Sequence, residues 1–418
     1  MTLVAASERN YDSRPNIEQQ PHTENRLNIC VTSQHRYMRS PDGAVWTDGK
    51  YDYIFWTRYL DEFDGVRVIA RVRDVPTSPA NGKRVDGAGI SVAPLPFVRG
   101  PLGYLLNARK LSAAARAAVQ SGDAVMLRVP GEIALCLDTW MWKTIRPYGV
   151  EVVGDPYELY APGSVKSVFR PLLRAFYPWR MRQECAAAAT ASYVTESTLQ
   201  KSYPPASAIF HTHYSSIELD DAAYADSPKR FDAAGSPTRL VFVGTLAQLY
   251  KAPDTLLRAF ALAVAEKLDL TLTIIGDGQH RAELENLAAR LNIAPRVRFA
   301  GQLAGFSAVK AELDTADLFV LASHQEGLPR ATIEAMARGL PCIGSTVGGT
   351  PELLPPEDMV SPGNERALAN KITEVVRDPA RMTRMAERNF LKSREYHQDR
   401  LRTRRAAHYA ALKKATQR

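Results

Sequence analysis

Two carboxylates, Glu326 and Glu334, stand in the stretch HQEGLPRATIEAMARGLPCIGSTVGGTPELL, 324–354, with seven residues between them. The first precedes a Gly-Leu-Pro turn. The second falls in a segment that Pro329 can open, since a first-turn proline gives up an N–H that has no helical partner, and that Gly339 and Pro341 close. The apolar run LFVLAS, 318–323, comes immediately before. A strand feeding a helix in this way leaves free backbone N–H groups and the positive end of the helix dipole at the strand's carboxyl end. Glu326 then sits in the loop at that end, and Glu334 lies one to two turns into a helix of about ten residues. Carboxylates accept pairs of hydrogen bonds from sugar or ribose hydroxyls, and the helix end suits an anion. Together they can hold a sugar attached to a nucleotide diphosphate.

The elements that must position these groups repeat along the second half of the chain. Short β-branched runs, LVFVG (240–244), LTLTIIG (270–276), VRFAG (297–301), LFVLAS and PCIGS (341–345), alternate with amphipathic segments such as HRAELENLAARLN. In the latter, Leu284, Leu287, Ala288 and Leu291 recur at the helical period. Strands separated by helices of this length imply parallel pairing with right-handed crossovers, a doubly wound α/β domain. The first half keeps the rhythm with longer insertions, through LNICVTS (27–33), VRVIARVR (66–73), GISVAP (89–94), AVMLRVP (124–130), VEVVGDP (150–156) and ASYVTE (191–196). The expected organisation is a mobile N-terminal arm over 1–25, a first Rossmann-like domain over 26–219, a linker over 220–239, a second Rossmann-like domain over 240–380, and a basic helical segment over 381–418 that crosses back to the first domain. Two such domains facing each other enclose a cleft beyond the carboxyl ends of their strands.

Composition narrows the class. The 418 residues are 45% apolar and 23% charged, with no apolar run long enough to span a bilayer. The N-terminus has no basic start followed by an apolar middle, so no secretory signal is expected. Cys30, Cys136, Cys185 and Cys342 are scattered, which argues against a zinc site or a disulfide framework and fits a reducing cytoplasm. The eight histidines form no metal-ligand spacing. The net charge of +8 is concentrated at the end, with twelve Lys/Arg against three Asp/Glu from Arg381 to Arg418. That pattern is read as a solvated helix face, with no nucleic-acid partner.

The second half resembles the retaining glycosyltransferases of family four, whose GT-B architecture is two facing Rossmann-like domains. The match covers roughly 238–375, and the first half matches by topology. The resemblance implies that Glu326 contacts the transferred sugar near the reacting carbon and that Glu334 binds the ribose. Gly348 and Gly349, in GGTPE, would let backbone approach the phosphates, with Gly327, Leu328 and Arg330 beside them. FVGTLAQLYKAPDTLL, 242–257, looks like the family's first donor-domain strand and loop: Gly244 allows close approach, and Lys251 matches the lysine that holds the diphosphate and stabilises its departure. Many members carry an arginine after that glycine where this chain has Thr245, so Lys251 either carries the charge alone or shares it with Arg330. GDGQHRAEL and FAG resemble the base-binding strand ends and bring in Gly276, Gly278 and Gly301. The family acts without a bound metal, and the sugar nucleotide is a co-substrate, so no cofactor is expected.

The acceptor side is written less clearly. Where the family often has a histidine at the end of the fifth strand, VEVVGDPYEL has Asp155, which either orients a hydroxyl in the cleft or caps a helix. Arg128, in RVPGE, falls at a strand end, and His35 and Arg36 follow the first strand; all three are acceptor-side candidates. VKSVFRPLLRAFYPWRMRQ, 165–183, holds five basic and no acidic residues interleaved with aromatics. Phe169, Leu172, Leu173 and Phe176 share one face of the helix it would form. Such a helix either lies on an anionic membrane surface or packs on its own sheet. The expectation is a retaining hexosyltransferase, cytoplasmic and peripheral to the inner membrane face. It would move a sugar from a nucleotide diphosphate to a glycan or lipid-linked oligosaccharide in surface polysaccharide synthesis. The rival readings are another GT-B enzyme, an epimerase or a phosphorylase, and a non-catalytic module that binds nucleotide sugar.

Overall fold

The computed structural model describes residues 27–49, 51–98, 100–160, 168–232, 238–303 and 305–418. The arm expected over 1–25, part of the expected linker (233–237) and the start of the basic stretch (165–167) lie outside them. Among the described residues two sheets carry the chain. The first contains β1 (Asn28–Arg39), β2 (Val45–Thr47), β3 (Gly65–Asp74), β4 (Lys83–Arg84), β5 (Ile90–Leu95), β6 (Ala124–Val129), β7 (Gly149–Val152), β8 (Thr190–Tyr193) and β9 (Phe210–His213). Its parallel spine runs β5-β3-β1-β6-β7-β8-β9, and β2 and β4 add antiparallel at the far end of β1. The second contains β10 (Thr238–Val243), β11 (Leu270–Ile275), β12 (Val297–Gly301), β13 (Leu318–Leu321), β14 (Cys342–Ser345) and β15 (Met359–Val360), all parallel, in the order β12-β11-β10-β13-β14-β15.

The apolar runs become strands because helices cover both faces of each sheet. Every residue of β6 and of β13 is buried. In the second domain Phe242, Phe260, Phe319 and Ile333 meet in one core. The first sheet has a core on each face, one around Leu127 and Leu137, the other around Trp56 and Tyr59. The strands of the second half fall within two residues of the expected runs. The first strand does not: it continues to Arg39, because its end pairs with both β2 and β3.

Two segments lie at the boundary between the domains. Residues 220–232 lie along the second domain: Tyr224 is buried in its core, and Lys229 N donates to Gly339 O at 3.1 Å. At the other end, helix Pro379–Ser393 puts Met382 and Met385 into the second domain's core, and helix Gln398–Thr416 returns to place Tyr409 and Leu412 in the first.

Candidate active site in the interdomain cleft

In both sheets the strand order reverses beside the first strand of the domain, and loops diverge there to leave a crevice. In the second domain this point lies between β10 and β13. The loop after β10 carries Lys251 and the loop after β13 carries Glu326. Opposite them stand the loops after β6 and β7 of the first domain. The space between is a cleft of about 660 Å³.

Lys251 ends a short turn, Leu249–Lys251, just before helix Pro253–Ala265. Its Nζ lies 2.5 Å from Glu326 Oε1, and Ser323 Oγ donates to that same oxygen at 2.7 Å. Both side chains are largely buried, 15% and 6% exposed. Gly244 makes room for the lysine, since a Cβ there would lie 3.3 Å from Lys251 Cγ and 2.9 Å from the Phe242 ring. Tyr250 lies alongside, its ring centre 5.4 Å from Lys251 Nζ. Burial pushes its hydroxyl pKa up, and the Glu326 charge adds to that.

Helix Arg330–Ala337 follows, with Pro329 as its N-cap and not yet helical, so the helix is a little shorter than expected. Gly327, Leu328, Arg330 and Glu334 line the cleft with Glu326. The loop that carries them is braced from behind. Gly348, at φ +50°, would place a Cβ 1.9 Å from Glu326 O, and Gly349 N donates to Gly327 O at 2.6 Å. Gly276 and Gly278 brace the other loop: a Cβ on either would strike backbone of residues 244–247. The nearest neighbours of these four glycines are therefore backbone atoms of the loops that hold Gly244 and Glu326. Thr245 turns its hydroxyl to Ala247 N at 3.2 Å. Thr245, Gly276, Gly278, Gly301, Gly348 and Gly349 stand behind or beside the cleft and do not line it.

The first-domain wall includes Tyr51, Arg128, Pro130, Asp155, Glu158 and Ser216. Asp155 caps helix Pro156–Leu159, accepting from Tyr157 N at 2.8 Å and from the Tyr203 hydroxyl. The Glu158 carboxyl is raised by burial and by the nearby Asp155 charge. Arg128 is tied down. It pairs with Glu151, which also accepts from the hydroxyls of Tyr59 and Tyr214 at 3.0 Å and of Tyr409 at 3.2 Å. Burial works against both charges, but Arg128 and Glu151 hold each other ionised. His35 and Arg36 do not reach this cleft. They line a neighbouring cavity of about 450 Å³, and His35 Nε2 is 2.6 Å from Thr47 Oγ1.

One residue of the GGTPE loop has a structural task its motif does not reveal. Glu352 reaches into the first domain and accepts from the N–H groups of Glu196, Ser197 and Thr198 at 2.6, 2.9 and 2.7 Å, and from Thr198 Oγ1 at 2.7 Å. Helix Thr198–Ser202 has no cap from its own N-cap side chain, and Glu352 supplies one from the other domain. Tyr51, Tyr250, Glu158 and Ser323 also escaped notice in the sequence, where none belongs to a recognisable pattern. Among the described residues no group of three or more His, Cys, Asp or Glu is arranged to hold a metal ion. None of the described helices is long and apolar enough to cross a membrane.

Comparison with known proteins matches this geometry to a family. Residues 237–378 match the model described as glycosyl transferases group 1. The chain is similar to protein CapJ of Staphylococcus aureus, 23% identical over 352 residues, covering 84% of this chain and 83% of that protein. It is 33% identical over 129 residues to the lipopolysaccharide core biosynthesis glycosyltransferase LpsE of Rhizobium meliloti (strain 1021), covering 30% of this chain and 37% of that one. Its fold is similar to that of sucrose-phosphate synthase from Thermosynechococcus elongatus, with TM-score 0.67 and 18% identity over 93% of this chain and 99% of that one. The match places a glycosyl transferases group 1 domain in the second half of the chain, and the two facing parallel-sheet domains give the whole chain the GT-B fold.

Proposed function

We propose that the protein is a retaining glycosyltransferase that moves a sugar from a nucleotide diphosphate to a hydroxyl of a lipid-linked oligosaccharide, in the synthesis of a bacterial surface polysaccharide. The observation that carries the transfer chemistry is the Lys251–Glu326 pair at the switch point of the donor domain. Lys251 takes the diphosphate, with Arg330 and the start of helix Arg330–Ala337 beside it, while Glu326 turns to the sugar and Glu334 to the ribose. Gly327 and Leu328 shape the floor, and the loops braced by Gly348, Gly349, Gly276 and Gly278 keep it rigid, with Gly301 at the base end.

The bond between the anomeric carbon and the diphosphate oxygen breaks as the acceptor oxygen bonds to the same face of that carbon. The acceptor's proton passes to the departing phosphate oxygen. Charge on the leaving diphosphate is met by Lys251 and backbone N–H groups, and the sugar passes through an oxocarbenium-like state that Glu326 faces. Asp155 on the opposite wall orients a hydroxyl, and Arg128 holds that wall in place. The acceptor class is supported by the similarity to LpsE, whose name places it in lipopolysaccharide core synthesis. Helix Arg170–Ala187 adds support for a membrane-facing protein. It packs through Pro178, Met181 and Cys185 yet leaves Leu172 and Trp179 67% and 50% exposed.

Thermal denaturation with UDP, GDP, dTDP, CMP and ADP, each free and sugar-loaded, tests the donor site. A ligand at ~100 times its dissociation constant adds ~2.7 kcal/mol. One base should stand out, with its effect lost in Lys251→Ala and Glu334→Ala. The anomeric configuration of the product, read by NMR, tests retention: inversion would end that part of the proposal.

A further inference from the structure

Beside the cleft, and sharing Pro130 and Leu159 with it, lies a second cavity of about 860 Å³ in the first domain. Helices Gly100–Ala117, Glu132–Lys143 and Arg170–Ala187 enclose it with Leu111, Leu135, Leu173 and Phe176 among its walls. Apolar surface left in contact with water on this scale is a standing cost to the fold. Leu105 on the cavity wall is 74% exposed, and Leu172 and Trp179, on the same helix as Leu173 and Phe176, are 67% and 50% exposed.

The inner end of the groove is different in kind. Arg71, on β3, is only 4% exposed. Its Nη2 donates to Gln34 O at 2.6 Å, but its buried Nε has no hydrogen-bond partner. The Tyr104 hydroxyl is also buried without a partner, and its ring centre lies 5.2 Å from the Arg71 guanidinium carbon. Buried donors are rarely left unsatisfied, and two in one place call for an acceptor that fits them. Arg36 lines the same groove. Burial lowers the Arg71 pKa, Tyr104 and Glu132 draw it back, and the Arg36 charge lowers it further. With Arg36 and Arg71 set against Glu132, the inner end keeps a net positive charge.

We propose that this groove binds the apolar chain of the acceptor lipid and that Arg71, Arg36 and Tyr104 bind the phosphate attached to that chain. The proposal rests on the lipid-linked acceptor reading given above. A phosphate supplies acceptor oxygens to Arg71 Nε and the Tyr104 hydroxyl together, and guanidinium groups match its geometry. The apolar chain covers the exposed wall. The sugar beyond the phosphate then passes Pro130 and Leu159 into the cleft, where its hydroxyl meets the donor.

Isothermal titration of the full chain with decyl phosphate, kept below its micelle concentration, tests this. Decanol supplies the chain without the phosphate, and inorganic phosphate the reverse. The expected result is saturable binding of decyl phosphate at least tenfold tighter than either control. Arg36→Gln combined with Arg71→Met should weaken it at least tenfold. So should Ala108→Trp, which fills the groove from an exposed helix position and keeps the test decisive if the double variant does not fold. Stabilisation by the preferred nucleotide should be unchanged in all of them. Absence of saturable binding, or binding that these variants leave intact, overturns the proposal. Binding only to phosphatidylglycerol vesicles, insensitive to Ala108→Trp, overturns it too, because the phosphate recognised would then belong to a bilayer surface. Sugar transfer without decyl phosphate binding would reject the groove alone. Decyl phosphate binding without transfer to any lipid-linked acceptor would support the groove and reject the acceptor reading.

Discussion

Lys251 Nζ and Glu326 Oε1 lie 2.5 Å apart at the meeting point of the loops that follow β10 and β13. In the proposed function the lysine that takes the diphosphate is held, before the donor arrives, by the carboxylate that turns to the sugar. Donor binding therefore exchanges one partner for another, and neither charge is left bare in a largely buried site. Glu326→Ala should reduce transfer by about 10²–10³-fold, the scale of losing one transition-state contact, with the fold retained. Steady-state kinetics beside a melting curve would show this, and near-normal turnover in that variant would sink the assignment.

Lys251→Met should act on both states. Without nucleotide it leaves Glu326 buried beside only Ser323, and breaking a buried pair costs on the order of 3–5 kcal/mol. With nucleotide diphosphate present the usual stabilisation should be missing. Urea unfolding with and without nucleotide separates the two effects, and undiminished stabilisation would remove Lys251 from the diphosphate site.

Glu352 caps a first-domain helix from the second domain, so it tests how firmly the domains are joined. Burial pushes its carboxyl pKa up, but the Thr198 hydroxyl and the N–H groups of residues 196–198 more than offset that and hold it below the ordinary glutamate range. A depressed carboxyl contributes stability that is full above its unfolded pKa and is lost as pH falls through its folded one. Glu352→Ala should cost about 2 kcal/mol at neutral pH, the scale of hydrogen bonds to a charged group, and less in acid. Equal destabilisation at pH 7 and pH 3 would contradict this.

His408 sits neutral in the interior, with Nδ1 2.9 Å from the Tyr214 hydroxyl and Nε2 3.1 Å from Thr190 Oγ1. Burial pushes its pKa down to about 4, against the pull of Glu151. Between ~6.5, where an unfolded imidazole titrates, and that value, the unfolded chain binds a proton that the folded chain does not. Stability should therefore fall as pH drops through this window, by about 2 kcal/mol between pH 7 and pH 5. His408→Gln should flatten that part of the pH–stability curve, and an unchanged slope would refute the assignment.

Asp155 separates a structural role from a chemical one. Asp155→Ala removes the cap of helix Pro156–Leu159 and should cost about 1 kcal/mol. Asp155→Asn keeps an accepting oxygen and should keep stability. A loss of transfer in the asparagine variant would then report the carboxylate itself, measured as kcat against an unchanged Tm, and wild-type kcat would leave Asp155 as a cap alone.

The sequence by itself determined the alternation of strand and helix, because parallel strands covered on both faces read as apolar runs and their helices carry a 3.6-residue period. It also placed Glu326 and Lys251 in loops at strand ends, because those loops directly follow such runs, and Glu334 in the helix that comes next. Tertiary structure alone decided which strand ends face each other. Lys251 meets Glu326 across 75 positions of chain, and Tyr409 reaches Glu151 across 258. Nothing local specifies such contacts; the order of strands in each sheet and the return of the last helix to the first domain create them. For the same reason Arg128 and Asp155 face the donor loops while His35 and Arg36, equally plausible by position, open onto another cavity. β1 runs on through both residues to Arg39, paired with β2 and β3, so they lie within a strand and not in a loop at the cleft.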